Sequence, residues 1–153
     1  MKILVVSDTH RKDDNLKRVL SEECPLDMLI HLGDAEGSEH FIPDWVNPEC
    51  RMEMVLGNND FFSRLDRERE IDIAGHKAFI THGHYYGVSM GPEGLADEAK
   101  SRGCDIAMYG HTHRPFLDVI DGVTVLNPGS LSYPRQEGRR PSYMIINVGA
   151  DGK

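Results

Sequence analysis

The chain has 153 residues and a net charge of -8 at neutral pH, which suits one domain, residues 1–153, with a sizeable core and excludes a bare nucleic-acid binder, since that needs a basic face. Cys24, Cys50 and Cys104 form neither a CxxC pair nor a thiolate zinc pattern and point to a reducing compartment. With no apolar run long enough to span a bilayer and no leader-like segment before the first strand, a cytoplasmic protein with no membrane partner is expected.

Lys2 to Ser7 is apolar and β-branched, the composition of a strand covered on both faces. It ends in Asp8-Thr9-His10, and side chains at i and i+2 share a face in extended chain, so Asp8 and His10 can converge on one ion. Asp13 to Glu23 puts Leu16, Val19 and Leu20 at helical spacing, and Pro25 closes that helix. Met28 to Leu32 is a second strand, ending in Gly33-Asp34. Glu36 to Trp45 reads as a connection with a short helical stretch, limited by Pro43 and Pro48.

Arg51 to Leu56 is a third strand and ends in Gly57-Asn58-Asn59-Asp60. A plain turn accounts for such a cluster; against it stands the recurrence of an oxygen ligand after a glycine at a strand end. Phe61 to Arg69 reads as a loop or short helix. Glu70 to Ile73 and Lys77 to Thr81 read as strands joined at Ala74-Gly75, the second ending in His82-Gly83-His84. Pro92 to Arg102 is a helix with Leu95, Ala96 and Ala99 on its apolar face and Gly103 just past its end.

Ile106 to Tyr109 is a short apolar strand that breaks at Gly110, and His111 and His113 follow one residue apart, two imidazoles leaving a strand end in nearly the same direction. Phe116 to Ile120 and Val123 to Leu126 form a hairpin around Asp121-Gly122, Asn127-Pro128-Gly129-Ser130 breaks the run, and Ser142 to Val148 is a last strand. The order predicts an α/β fold of two packed sheets with helices outside.

Seven side chains gather at these strand ends: Asp8, His10, Asp34, Asn58, His82, His111 and His113. Carboxylate, amide and imidazole ligands without a thiolate are too many for one tetrahedral zinc and suit two divalent ions sharing a carboxylate. Such a pair lowers the pKa of a bridging water and clamps the oxygens of an in-line displacement at phosphorus, so hydrolysis of a phosphate ester is the expected chemistry. No Gly-rich phosphate loop or Gly-x-Ser-x-Gly elbow supports another hydrolase class.

Taken in order, Asp8-Thr9-His10, Gly33-Asp34, Gly57-Asn58-Asn59-Asp60, His82-Gly83-His84 and Gly110-His111-Thr112-His113 resemble the calcineurin-like metallophosphoesterases, and within them the small single-domain YfcE-like phosphodiesterases. The resemblance implies a four-layer α-β-β-α sandwich of two mixed sheets flanked by helices. It implies one ion held by Asp8, His10, Asp34 and His113, and another by Asp34, Asn58, His82 and His111, with Asp34 the bridge. Manganese is the first choice in relatives, with iron, zinc and nickel as alternatives.

Many members carry histidine where this chain has Asn59, and an amide cannot protonate a leaving oxygen as an imidazolium does. A preference for phosphodiesters with good leaving groups over alkyl monoesters is therefore expected. Asn58, Asp60 and His82 are the expected catalytic group, with Asp60 acting by positioning its neighbours. Arg11, Asn59, His84 and Arg135 are the candidate substrate contacts, with surface arginines and a plain loop histidine as the competing readings. Asn127, Gly129 and Ser130 resemble a segment that shapes the site through its backbone. His31 reads as a satisfied core group, and His40 and His76 as solvated. The competing function is a protein-interaction scaffold, since a retromer subunit shares this fold. Self-association into a homo-oligomer is left open by the sequence.

Overall fold

In a computed structural model describing residues 1–153, the chain runs β1 (Lys2–Val6), α1 (Asp14–Glu23), β2 (Met28–His31), β3 (Arg51–Met54), β4 (Glu68–Ile73), β5 (His76–Thr81), α2 (Glu93–Ser101), β6 (Ile106–Met108), β7 (Pro115–Ile120), β8 (Val123–Pro128) and β9 (Met144–Asn147). One sheet has the order β3-β2-β1-β9 and the other β4-β5-β6-β8-β7. Both are mixed: β1, β2 and β3 are mutually parallel with β9 antiparallel, while β5, β6 and β8 are parallel between antiparallel β4 and β7.

Alternation along the strands sorts the core into three apolar layers. Ile3, Val5, Met28 and Ile30 of one sheet meet Ile71, Ile73, Ala78, Ile80 and Met108 of the other. Leu4, Val6 and Leu29 point the opposite way, onto Leu16, Val19 and Leu20 of α1. Phe79, Ala107 and Val125 receive Leu95, Ala96 and Ala99 of α2. The result is helix, sheet, sheet, helix, each fully buried Leu or Ile contributing roughly 1.5–3 kcal/mol. No helix is long and apolar enough to cross a membrane.

Several boundaries move from their expected places. The connection after β2 holds two 3₁₀ turns, Ser38–His40 and Ile42–Trp45. β4 starts at Glu68, because its edge pairing continues to Glu68 opposite Thr81. The expected break at Asn127-Pro128 is absent: β8 runs through both residues, with Pro128 opposite Pro115 at the end of the ladder, where proline is tolerated. His76 is not simply solvated; its ring bonds Asp105 Oδ2 and the Gly152 carbonyl, each at 2.9 Å. His31 is fully buried and satisfied, bonded to Thr9 Oγ1 at 3.0 Å and accepting from the Gly33 amide at 3.2 Å, and burial lowers its pKa.

Parallel pairing sends the carboxyl ends of β1, β2 and β3 to one edge of their sheet, and those of β5, β6 and β8 to one edge of the other. The loops meet there at van der Waals limits. A Cβ on Gly57 would overlap Asp34, and one on Gly110 would overlap Ser7 and Asp8, so only glycine lets these strand ends approach.

Candidate metal centre

Asp8 and His10 lie beyond the end of β1, with φ of 55° and 48°. They converge through left-handed turns, not across an extended pleat as expected. Asp34, His111 and His113 share that conformation, with φ of 61°, 69° and 60°. Left-handed backbone costs a non-glycine residue roughly 1 kcal/mol or more, so the surrounding hydrogen bonds have to hold it. They do so here: Asp8 N donates to the Gly33 carbonyl at 3.0 Å and His10 N to that of Asp34 at 2.8 Å. Ser130 Oγ donates to the Asp8 carbonyl at 2.8 Å, and Asn127 Nδ2 to the Gly110 carbonyl at 3.0 Å.

The same left-handed turns separate the two histidines of the last loop. His113 faces His10, with Nε2 atoms 3.1 Å apart, while His111 faces His82, with Nδ1 3.3 Å from Nε2. They therefore point to opposite halves of the site, not in one direction. Asp8 Oδ1 lies 3.2 Å from His113 Nε2, 3.6 Å from His10 Nε2 and 3.7 Å from His82 Nε2. Asp34 Oδ2 lies 3.3 Å from His82 Nε2 and 3.7 Å from His10 Nε2. Asn58, though exposed, brings Oδ1 to 3.2 Å from His111 Nδ1.

All seven side chains are thus brought together. Two tight donor groups stand out, Asp8-His10-His113 and Asp8-Asp34-His82. Asp8 is common to both, whereas Asp34, the bridge implied by the resemblance, touches the two halves through His82 and His10.

Hydrogen bonding fixes which nitrogens face inward. His82 Nδ1 donates to the Leu32 carbonyl at 2.7 Å and His113 Nδ1 to that of Tyr133 at 2.6 Å. Carbonyls only accept, so both rings turn an Nε2 lone pair into the cleft. His10 turns Nδ1 toward Glu36 Oε2 at 3.5 Å, which sets its own Nε2 against that of His113. Asp8 Oδ1 is buried without any hydrogen-bond partner. Lone pairs and an orphaned carboxylate oxygen aimed at one another repel unless protons or cations lie between them.

The titration behaviour agrees. Burial alone would raise the Asp8 pKa, but His10, His113 and His82 overturn it and hold this carboxylate far below its usual range. Burial opposes charge on His10 and His82 too, yet Asp8 raises the first and Asp34 the second. Burial lowers His111 and His84, with His82 reinforcing both shifts. Ligand atoms about 2.1 Å from a shared ion sit about 3.0 Å apart at an octahedral edge and about 3.4 Å apart at a tetrahedral one. Separations of 3.1, 3.2 and 3.3 Å fall in that range, so the donor set fits divalent ions by type and by spacing.

The other expected residues take varied places. Asp60 is buried and faces backbone: its carboxylate accepts from the amides of Asp34, Gly57 and Glu36, which makes it a positioning residue. Asn59 is turned onto Asp34, its amide donating to Oδ2 at 3.0 Å and its backbone to Oδ1 at 2.8 Å. His84 stacks beside the cleft, 5.4 Å from the His82 ring and 6.0 Å from that of His111. Arg11 is tied to the Glu36 carbonyl at 2.9 Å and lines a neighbouring depression, so it does not share the cleft of His10 and His113. Arg135 does line that cleft. Arg114 and Arg139, which the sequence did not single out, line it with Arg135; the sequence signal was an arginine directly after His113 and a basic stretch from 135 to 140.

The sequence profile of the calcineurin-like phosphoesterase superfamily domain matches residues 1–151. A probable metallophosphoesterase of Mycoplasma pneumoniae is 32% identical over 150 residues, covering 96% of this chain and 89% of the relative. Phosphodiesterase MJ0936 of Methanocaldococcus jannaschii is 32% identical over 145 residues, covering 84% of this chain and 83% of its own. Among solved structures, Vps29 of Entamoeba histolytica, crystallised as a single mutant, superposes with a TM-score of 0.81 at 25% identity, over 97% of this chain and 87% of that one.

Proposed function

Because the chain belongs to the calcineurin-like phosphoesterase superfamily, we propose that it is a metal-dependent phosphodiesterase acting on small phosphodiesters through two divalent ions. The observation that carries this reading is the inward-facing donor set, with Asp8 Oδ1 unpartnered among three imidazole nitrogens. Asp8, His10, Asp34 and His113 would hold one ion, and Asp34, Asn58, His82 and His111 the other, with manganese the first choice and iron, zinc or nickel the alternatives. Such ions supply positive charge to phosphoryl oxygens and lower the pKa of a bound water. In their absence Asp8 and Asp34 draw protons onto His10 and His82, so ion uptake releases protons and weakens as pH falls.

Protein purified without chelator is expected to carry divalent ions by elemental analysis and to hydrolyse bis(p-nitrophenyl) phosphate. EDTA should abolish that turnover and manganese restore it. Activity that survives EDTA defeats the reading. The likeness to Vps29 favours a second reading, a protein-interaction scaffold; bound metal without turnover would support it.

Asn59 bears on the substrate. Its amide is committed to Asp34 Oδ2, which leaves no proton donor at this position for a departing alkoxide. Asn59→His should raise the turnover of phenyl phosphate relative to bis(p-nitrophenyl) phosphate by at least about tenfold, measured as a ratio so that damage to Asp34 cancels. An unchanged ratio would mean that leaving-group selectivity has another origin.

A further inference from the structure

The cleft beside His10 and His113 is an open space of about 730 Å³, within the range of small-ligand sites, about 300–1,000 Å³. Its lining is unusual for so acidic a chain. Arg114, Arg135 and Arg139 all border it, and Glu36 is the one carboxylate among the lining side chains. All three residues are exposed, and none of their guanidinium groups has a hydrogen-bond partner or a carboxylate within 4.0 Å, whereas Arg51, Arg69 and Arg102 are each paired with glutamates. Three unpaired like charges around one mouth repel each other and are relieved by an anion.

These arginines are also in register with the metal centre. Arg114 directly follows His113, and Arg135 N donates to the His113 carbonyl at 3.0 Å. Tyr133, two residues before Arg135, accepts from His113 Nδ1 at 2.6 Å, and its own amide is held by Ser130 Oγ at 2.8 Å. The loop that orients the imidazole therefore also presents Arg135 and Arg139, while Arg114 comes from the loop that carries His113 itself. Arginine forks match phosphate oxygens in pairs, which a lysine ammonium does not.

Resting on the phosphodiesterase reading, we propose that this cleft is a subsite for a second phosphoryl group on one ester arm of the substrate. Arg114, Arg135 and Arg139 hold that group while the scissile phosphate lies among Asp8, His10, Asp34 and His113. The substrate class is then a phosphodiester with a terminal phosphate, such as a 5′-phosphorylated dinucleotide. Without the basic mouth, a chain of charge -8 would repel it.

The test compares dithymidylate with and without its 5′-phosphate, using the manganese-loaded protein and an Arg114→Ala/Arg135→Ala/Arg139→Ala variant. The native chain should favour the phosphorylated form in kcat/KM by about tenfold to a hundredfold, and the variant should bring the ratio close to one. Calorimetric titration of both forms into the EDTA-treated proteins should show the same preference in affinity, weakening with added salt. Equal kcat/KM for the two forms, or a ratio that the variant keeps, overturns the subsite. If only bis(p-nitrophenyl) phosphate is cleaved, or nothing is, the phosphodiesterase reading is judged on that substrate alone and the affinities decide the subsite: equal binding of the two dinucleotides overturns it.

Discussion

Asp8→Asn should lower kcat/KM toward bis(p-nitrophenyl) phosphate by about a thousandfold or more and reduce the bound divalent ion, while the metal-free protein stays folded. The two oxygens of this carboxylate have different duties. Oδ2 is a structural acceptor, taking the Ser7 hydroxyl at 2.5 Å and the His111 amide at 2.9 Å. Asparagine can keep both bonds through its carbonyl oxygen, which protects the fold. Its NH₂ then replaces Oδ1, the atom that faces His10, His82 and His113 and has no partner of its own. An amide NH₂ points hydrogens at the site and has no free lone pair to offer a cation, and the loss falls on both donor groups because Asp8 belongs to each. Elemental analysis reads the ion content, and thermal melts with and without manganese read the coupling: the native chain should gain stability from the ion and the variant should not. Full activity with a native ion complement would show that Asp8 is not an anchor of the centre.

The strand-end grammar made the fold and the meeting of the seven side chains legible. Apolar runs such as Lys2 to Val6 and Met28 to His31 have the composition of covered parallel strands, and parallel strands deliver their ends to one edge. Local geometry was less legible. Asp8-x-His10 and His111-x-His113 have the spacing of neighbours on a pleat, yet both pairs turn through left-handed backbone that the tertiary hydrogen bonds impose. Asp and His visit that conformation more often than most non-glycine residues, but too rarely for local propensity to place it at these positions. The arginine mouth was hidden for another reason. Arg114 and Arg139 come from different loops, and nothing in a basic loop distinguishes a solvated charge from one held over a cleft until Ser130 and Tyr133 are seen to pin that loop onto His113. β8 continued through Pro128 because its proline sits opposite another proline at the ladder end, a pairing between strands that no local window contains.

Asp60→Ala is expected to destabilise the protein by about 3–5 kcal/mol, a large fraction of the 5–15 kcal/mol that ordinarily holds a domain folded. The buried carboxylate staples two loops at once: Oδ2 accepts from Asp34 N and Gly57 N, both at 2.8 Å, and Oδ1 from Glu36 N at 2.7 Å. Alanine leaves three amides without an acceptor, and charge-assisted bonds of this kind are stronger than neutral ones. The melting temperature should fall by roughly 10 °C. Activity should fall with it, because the Asp34 amide bond helps to hold that residue at φ 61°, where its side chain reaches His82 and His10. Asp60→Asn separates positioning from chemistry. It keeps an acceptor for part of the staple but turns an NH₂ toward at least one amide, so an intermediate loss of stability is expected. None of the Asp60 bonds reaches the cleft, so saturating manganese should restore much of the activity of folded Asp60→Asn, whereas Asp8→Asn should stay inactive at any manganese concentration. An Asp60→Ala protein that melts within about 2 °C of the native chain would show that the loops after β2 and β3 are held by something other than this carboxylate.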